Sequence, residues 1–142
     1  MTAAVCAFCA IGAGEMPASM VLRDDHVAAF LDARPVFKGH VLVVPRAHLP
    51  TLSEVPPADL TTLFAAVQRV ARAVEAGLGA DGTFVALNNK VSQSVPHLHV
   101  HVVPRRKKDG LRGFFWPRVS YADDAEREAF AAKIRAALAA GT

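Results

Sequence analysis

The sequence predicts an α+β domain: one antiparallel sheet of about five strands, with a central helix and a C-terminal helix packed against it. Three observations carry this. Short apolar runs of strand character fall on both sides of one long helical stripe and do not alternate regularly with helices, which argues against a parallel βαβ arrangement. Of the 142 residues, 52% are apolar and 20% charged, a balance that can bury a core and does not suit a disordered chain. His97-Leu98-His99-Val100-His101-Val102-Val103 alternates with the period of two that a strand requires. Residues 1–142 are read as a single domain.

Val21-Leu22-Arg23 and His26 to Leu31 read as two short strands joined at the polar pair Asp24-Asp25. Lys38-Gly39 precedes a third, His40-Val41-Leu42-Val43-Val44, closed by Pro45. After Pro56-Pro57 the period changes: Leu60, Leu63, Phe64, Val67, Val70 and Val74 fall on one helical stripe. Pro57 suits the first turn of that helix, and Gly77 or Gly79 its exit. Asp81-Gly82 turns the chain into a fourth strand, Thr83 to Leu87, and the polar loop Asn88 to Ser94 leads into the fifth, residues 97–103. Glu126 to Ala140, rich in alanine, reads as a closing helix, begun at about residue 124.

The charge balance, 16 Lys and Arg against 13 Asp and Glu, is too small an excess to argue for nucleic acid. Residues 1–10 lack a basic start and a long apolar run, so no secretory signal is expected. No stretch approaches the roughly 18 apolar residues needed to span a bilayer. A cytoplasmic location is the expectation.

Read as a strand, residues 97–103 put His97, His99 and His101 in one row and Leu98, Val100 and Val102 on the opposite, core face. Surface histidines on a wet sheet face would give such a row, although three consecutive polar positions filled by histidine are hard to get by chance. A three-histidine zinc site would strain, because the outer Cα atoms of an extended segment lie roughly 13 Å apart. The third reading is nucleophilic. A neutral imidazole attacks phosphorus well, and covalent catalysis splits one hard step into two easier ones. Charge gathering on the phosphoryl oxygens then needs donors, which His101, Ser94 and Gln93 can supply.

These residues resemble the signature of the histidine triad (HIT) family of nucleotide hydrolases and transferases. The likeness runs from about Cys6 to Pro104 and includes Gly39-His40-Val41-Leu42-Val43 and Gln93-Ser94-Val95. It implies that His99 is the nucleophile on the α-phosphorus of a nucleotide, forming a nucleotidyl-histidine that water hydrolyses to a nucleoside monophosphate. His101 would bond phosphoryl oxygens, and His40 would help fix the imidazoles. Gln93 and Ser94 would contact phosphate and leaving group, joined by Asn88. Asp32 matches the family's ribose-binding acid, although a solvated turn acid has the same appearance. Phe8, Ile11 and Leu31 would line a purine pocket or serve as ordinary core.

Cys6-Ala7-Phe8-Cys9 has structural-zinc spacing but needs two further ligands. Members of the family, and the related galactose-phosphate uridylyltransferases, look similar here. The resemblance implies a closed set of Cys6, Cys9, His48 and His97, which suits a structural ion. A redox dithiol and two plain thiols remain the alternatives.

Arg105 to Lys108 and Gly113-Phe114-Phe115-Trp116-Pro117-Arg118 are suited either to holding a polyphosphate and a second base or to forming a solvated loop at a dimer interface. The resemblance as a whole implies a homodimeric enzyme acting on a dinucleoside polyphosphate or a nucleoside phosphoramidate. It needs no catalytic metal, although Mg²⁺ can accompany a polyphosphate. A nucleotide-binding scaffold with little turnover is the other reading.

Overall fold

A computed structural model describes residues 6–112 and 117–141. The chain forms two compact units, residues 1–109 and 110–142. In the first, a short helix α1 (Ala7–Ala13) precedes strands β1 (Met20–Arg23), β2 (Val27–Leu31) and β3 (Val41–Pro45). A single 3-10 turn at Leu52–Glu54 leads to α2 (Pro57–Leu78), then to β4 (Gly82–Ala86) and β5 (Val100–Arg105). The five strands form one sheet in the order β1-β2-β3-β5-β4, with every neighbouring pair antiparallel. The expected α+β class, with one five-stranded antiparallel sheet, is therefore borne out.

The pleat divides the sheet into two faces. Val27 and Ala29 of β2, Val41 and Val43 of β3, and Val100 and Val102 of β5 share a cluster with Leu63, Val67, Val70 and Val74 of α2. Burying each of those four helix side chains is worth about 1.5–3 kcal/mol. The opposite face holds Ala28, Phe30, Leu42 and Val44, on which Ile11 of α1 packs, with Phe8 at the margin. On this face one cross-strand row runs Met20, Phe30, Leu42, His101, Ala86, since directly opposed residues share a side. The alternation seen in the sequence thus puts α2 behind the sheet and a histidine in front of it.

Gly39 sets the entry to β3. Its φ is +99°, and a Cβ there would lie 2.3 Å from Cδ1 of Leu78 at the end of α2. Only glycine meets both demands without strain. Gly79 closes α2 in the left-handed conformation, as the sequence suggested.

Several boundaries differ from expectation, most by one residue. The histidine strand does not span 97–103: the ladder of β5 begins at Val100 and runs on to Arg105. Backbone partners explain the late start. The His97 N–H donates to the Val95 carbonyl in a tight turn, and the Leu98 N–H donates to Leu49, beyond the end of β3. His40 likewise sits just before β3. Helix α1 and the 3-10 turn were not expected at all. The turn is built by a reciprocal capping box between Thr51 and Glu54.

In the second unit α3 (Asp124–Ala139) falls where the alanine-rich run suggested. Asp123 accepts from the Glu126 N–H, and the Glu126 carboxylate accepts from Ala122 N–H. None of its residues is buried. Among the described residues no helix is long and apolar enough to cross a membrane.

Candidate active site

His97 is fully buried, His99 is 5% exposed and His101 half-buried. Although only His101 lies within the β5 ladder, the alternation holds from residue 98: Leu98, Val100 and Val102 lie in the core cluster, and His99 and His101 face the cleft. The centroids of His99 and His101 are 5.1 Å apart, and His40 stands a further 5.1 Å beyond His101. The Phe8 ring of α1 sits edge-on to both His97 and His99, at 6.0 and 5.2 Å. His99 and His101 open onto a cleft of about 650 Å³, within the range that holds a drug-sized or nucleotide-sized ligand. Phe8, Ile11, Leu31, Asp32 and Ser94 line the same cleft.

Hydrogen-bond partners fix the tautomer of each ring. His99 Nδ1 lies 2.7 Å from the carbonyl of His97, so it must donate there, and Nε2 keeps its lone pair. His40 Nδ1 accepts from the Val36 N–H at 3.2 Å. Its Nε2 therefore carries the proton and donates to His101 Nδ1, 2.9 Å away. That leaves the proton of neutral His101 on Nε2. The row thus combines a bare nitrogen on His99 with an N–H donor on His101.

Electrostatics keep the two supporting rings neutral. Burial pushes His101 down from 6.5 to about 4, with the neighbouring His99 and His40 adding repulsion and Asp32 pulling weakly the other way. Burial also lowers His40, against the raising influence of Asp32, whose Oδ2 lies 3.8 Å from His40 Nδ1. Asp32, His40 and His101 bring ligand atoms within 4.8 Å of one another. Both nitrogens of His40 are engaged, however, so the three read as a hydrogen-bonded histidine pair with a carboxylate nearby rather than a cation site.

A second cluster lies behind His97. Sγ of Cys6 and Sγ of Cys9 are each 3.4 Å from His97 Nδ1, and Sγ of Cys9 is 3.3 Å from His48 Nδ1. Sulfur and nitrogen ligands on a zinc tetrahedron are about 3.6 Å apart, given bonds of about 2.3 and 2.0–2.1 Å. The four residues therefore fit the ion. His97 Nε2 donates to the Pro45 carbonyl at 2.7 Å, which leaves Nδ1 free to ligate, the usual outer support of a metal-bound imidazole. Burial, with Cys6 alongside, pushes the Cys9 thiol up to about 11. A redox-active dithiol needs the opposite shift.

Two expected contacts are not brought to the cleft. Gln93 accepts from Lys90 N–H through Oε1 and donates to the Pro50 carbonyl through Nε2, and Asn88 Nδ2 donates to Ser92 O. Neither lines the cleft. The two arginines of the basic run are also engaged locally: Arg105 pairs with Asp109, and the Arg106 guanidinium caps α2 through the carbonyls of Leu78 and Gly79. Phe114, Phe115 and Trp116 lie outside the described residues. In the other direction, the sequence reading passed over Arg34 and the segment 16–19, which line the cleft. Arg34 was findable, because it shares a turn with Asp32, whose Oδ1 accepts its N–H.

The HIT domain model matches residues 13–108, and the chain belongs to the HIT family. It is 42% identical over 139 residues to an uncharacterized HIT-like protein of Mycobacterium tuberculosis, covering 94% of this chain and 93% of that one. Several relatives are named for hydrolytic activities, and two illustrate the range. One is the asymmetrical bis(5'-nucleosyl)-tetraphosphatase of Schizosaccharomyces pombe, 39% identical over 58% of this chain and 46% of its own. The other is the adenosine 5'-monophosphoramidase of Saccharomyces cerevisiae, 33% identical over 76% and 68%. Among solved structures, a HIT family member from Bacillus subtilis superposes with a TM-score of 0.82 at 34% identity, covering 92% of this chain and 95% of that one. A zinc-bound histidine triad family protein from Mycobacterium smegmatis gives 0.73 at 37%, over 96% and 99%.

Proposed function

We propose that this protein is a nucleotidyl hydrolase or transferase whose nucleophile is Nε2 of His99. The observation that carries the reading is the bond from His99 Nδ1 to the His97 carbonyl in a ring that lines the cleft. That bond holds the free lone pair on the other nitrogen. Nε2 forms a bond to the α-phosphorus as the bond to the leaving group breaks, its electron pair departing with the leaving atom, which takes a proton from solvent. Water then attacks the phosphorus, the N–P bond breaks with its pair returning to Nε2, and a nucleoside monophosphate leaves. His101 donates from Nε2 to a phosphoryl oxygen where charge develops, and His40 holds it in that tautomer.

Asp32 accepts from the ribose hydroxyls, its carboxylate having acceptor sites beyond the one taken by Arg34 N–H. Phe8, Ile11 and Leu31 cover the base, and Ser94 bonds the departing atom. The substrate class is a nucleoside phosphoramidate or a dinucleoside polyphosphate, with Mg²⁺ only as companion of the latter. Cys6, Cys9, His48 and His97 would hold a structural zinc ion, which adds folding energy by tying the start of α1 to the histidine row. The same reading takes the protein as a cytoplasmic homodimer.

The test is release of adenosine monophosphate from adenosine 5'-phosphoramidate and from diadenosine tetraphosphate, with a search for a nucleotidyl adduct on the protein. His99→Asn is expected to remain folded and to lose turnover. A variant that kept near-normal rates would end the assignment, and tight nucleotide binding without release would favour the scaffold reading.

A further inference from the structure

Ser94 reaches the cleft from the long connection between β4 and β5, a segment whose own backbone resists its conformation. Lys90 and Ser92 have φ of +70° and +58°, a region that side chains other than glycine rarely adopt. Side chains hold the loop in place. Asn88 and Gln93 brace it internally, through Ser92 O at 3.2 Å and Lys90 N–H at 2.8 Å. Two more bonds cross to another part of the chain. Leu52 N–H donates to Oδ1 of Asn89 at 2.9 Å, and Nε2 of Gln93 donates to the Pro50 carbonyl at 2.6 Å.

The segment they reach, residues 48–52, is tied at every step. His48 meets Cys9, the Leu49 carbonyl accepts the N–H of Leu98 between His97 and His99, and the Thr51–Glu54 capping box fixes the far end. One short strut thus touches the cysteine cluster, the histidine row and the Ser94 loop.

We infer that Asn89 and Gln93 are positioning residues for the reaction, locking the Ser94 loop to the strut 48–52 so that the Ser94 hydroxyl meets the departing atom. Neither side chain lines the cleft, so an effect on turnover is indirect, and its dependence on leaving group separates passage through Ser94 from passage through the histidine row. The inference rests on the hydrolase reading above. Its signature is a dependence on leaving group. An amine or phosphate departs with charge that a hydrogen bond must stabilise, whereas 4-nitrophenolate departs without that help.

The experiment compares wild type, Asn89→Ala, Asn89→Asp and Gln93→Ala on adenosine 5'-phosphoramidate and on the 4-nitrophenyl ester of adenosine monophosphate. For the phosphoramidate, Asn89→Ala and Gln93→Ala should lower kcat by roughly ten- to a hundredfold, the scale on which small misplacements act. For the nitrophenyl ester both should stay within a few-fold of wild type. Asn89→Asp keeps the acceptor for Leu52 N–H and should restore the phosphoramidate rate. Equal losses on the two substrates, or no rescue by aspartate, would overturn the inference.

Hydrogen exchange of residues 88–95 gives a reading independent of turnover: faster in Asn89→Ala, like wild type in Asn89→Asp. Unchanged exchange in Asn89→Ala would also overturn it. A wild-type protein inert on both substrates would instead sink the hydrolase reading, and exchange alone would then decide whether Asn89 locks the loop.

Discussion

Replacing His40 by alanine separates what the ring does for the fold from what it does for its neighbour. The residue is 3% exposed, accepts from the Val36 N–H and donates to His101 Nδ1. Its removal loses two hydrogen bonds, worth about 1 kcal/mol each, and leaves a cavity, so unfolding free energy should fall by about 2–4 kcal/mol. The catalytic effect has two parts. Freed of its donor, His101 samples both neutral tautomers, which alone costs no more than about twofold. It also loses its anchor, and a misaimed donor to a developing phosphoryl charge forfeits much of the 10²–10³-fold such a donor supplies. The expected fall in kcat is therefore about ten- to a hundredfold, with the KM for nucleotide changed less. His40→Gln, which keeps an N–H donor, should recover part of it. Denaturant unfolding and steady-state kinetics on adenosine 5'-phosphoramidate provide the readouts. Equal rates for the alanine and glutamine variants, or an alanine variant within threefold of wild type, would refute the claim that His40 anchors the His101 donor.

Three further outcomes follow from the same geometry. Metal analysis of protein purified without a histidine tag should find about one zinc per chain; Cys9→Ser should lose it together with several degrees of Tm, and zinc far below stoichiometric in wild type would count against the cluster. Gly39→Ala forces a side chain into φ +99° and against Leu78, and should cost about 2–3 kcal/mol in denaturant unfolding; a loss under about half that would mean the backbone relaxes freely. Stability should also fall with pH. His101 is depressed to about 4, so the unfolded chain takes up its proton first, and the stability present above about 6.5 is lost as pH falls towards 4. At full burial that fall corresponds to about 3 kcal/mol, but solvent reaches the ring and about 1 is expected. His101→Asn should flatten the pH slope, and an unchanged slope would contradict the assignment.

What the sequence disclosed and what it hid follow a physical line. Strand alternation and the helical stripe of α2 are repeated patterns, so the sheet and the helix behind it were readable, as were the histidines that alternate with core residues. Helix α1 was not, because seven residues give too little period to detect. It is held by burial of Ile11 against β2 and β3 and, in the zinc reading, by the ion between Cys6 and Cys9. The start of β5 was hidden for a different reason. Period cannot reveal that Leu98 N–H would find Leu49 rather than a ladder partner. The same distinction applies inside the site. Residues that present chemistry, such as His99, His101 and Asp32, are recognisable by type. Gln93 is recognisable by type too, but type does not reveal its partners: an amide can serve a phosphate or a backbone equally well, and only the folded chain shows both of its ends on Pro50 and Lys90. Asn89, one residue from a candidate that was named, carried no signal, because its partner is the backbone N–H of Leu52, 37 positions away in the chain. The supports of a reactive group are long-range backbone partners. Spacing exposes a row of imidazoles, and only the folded chain exposes what aims them.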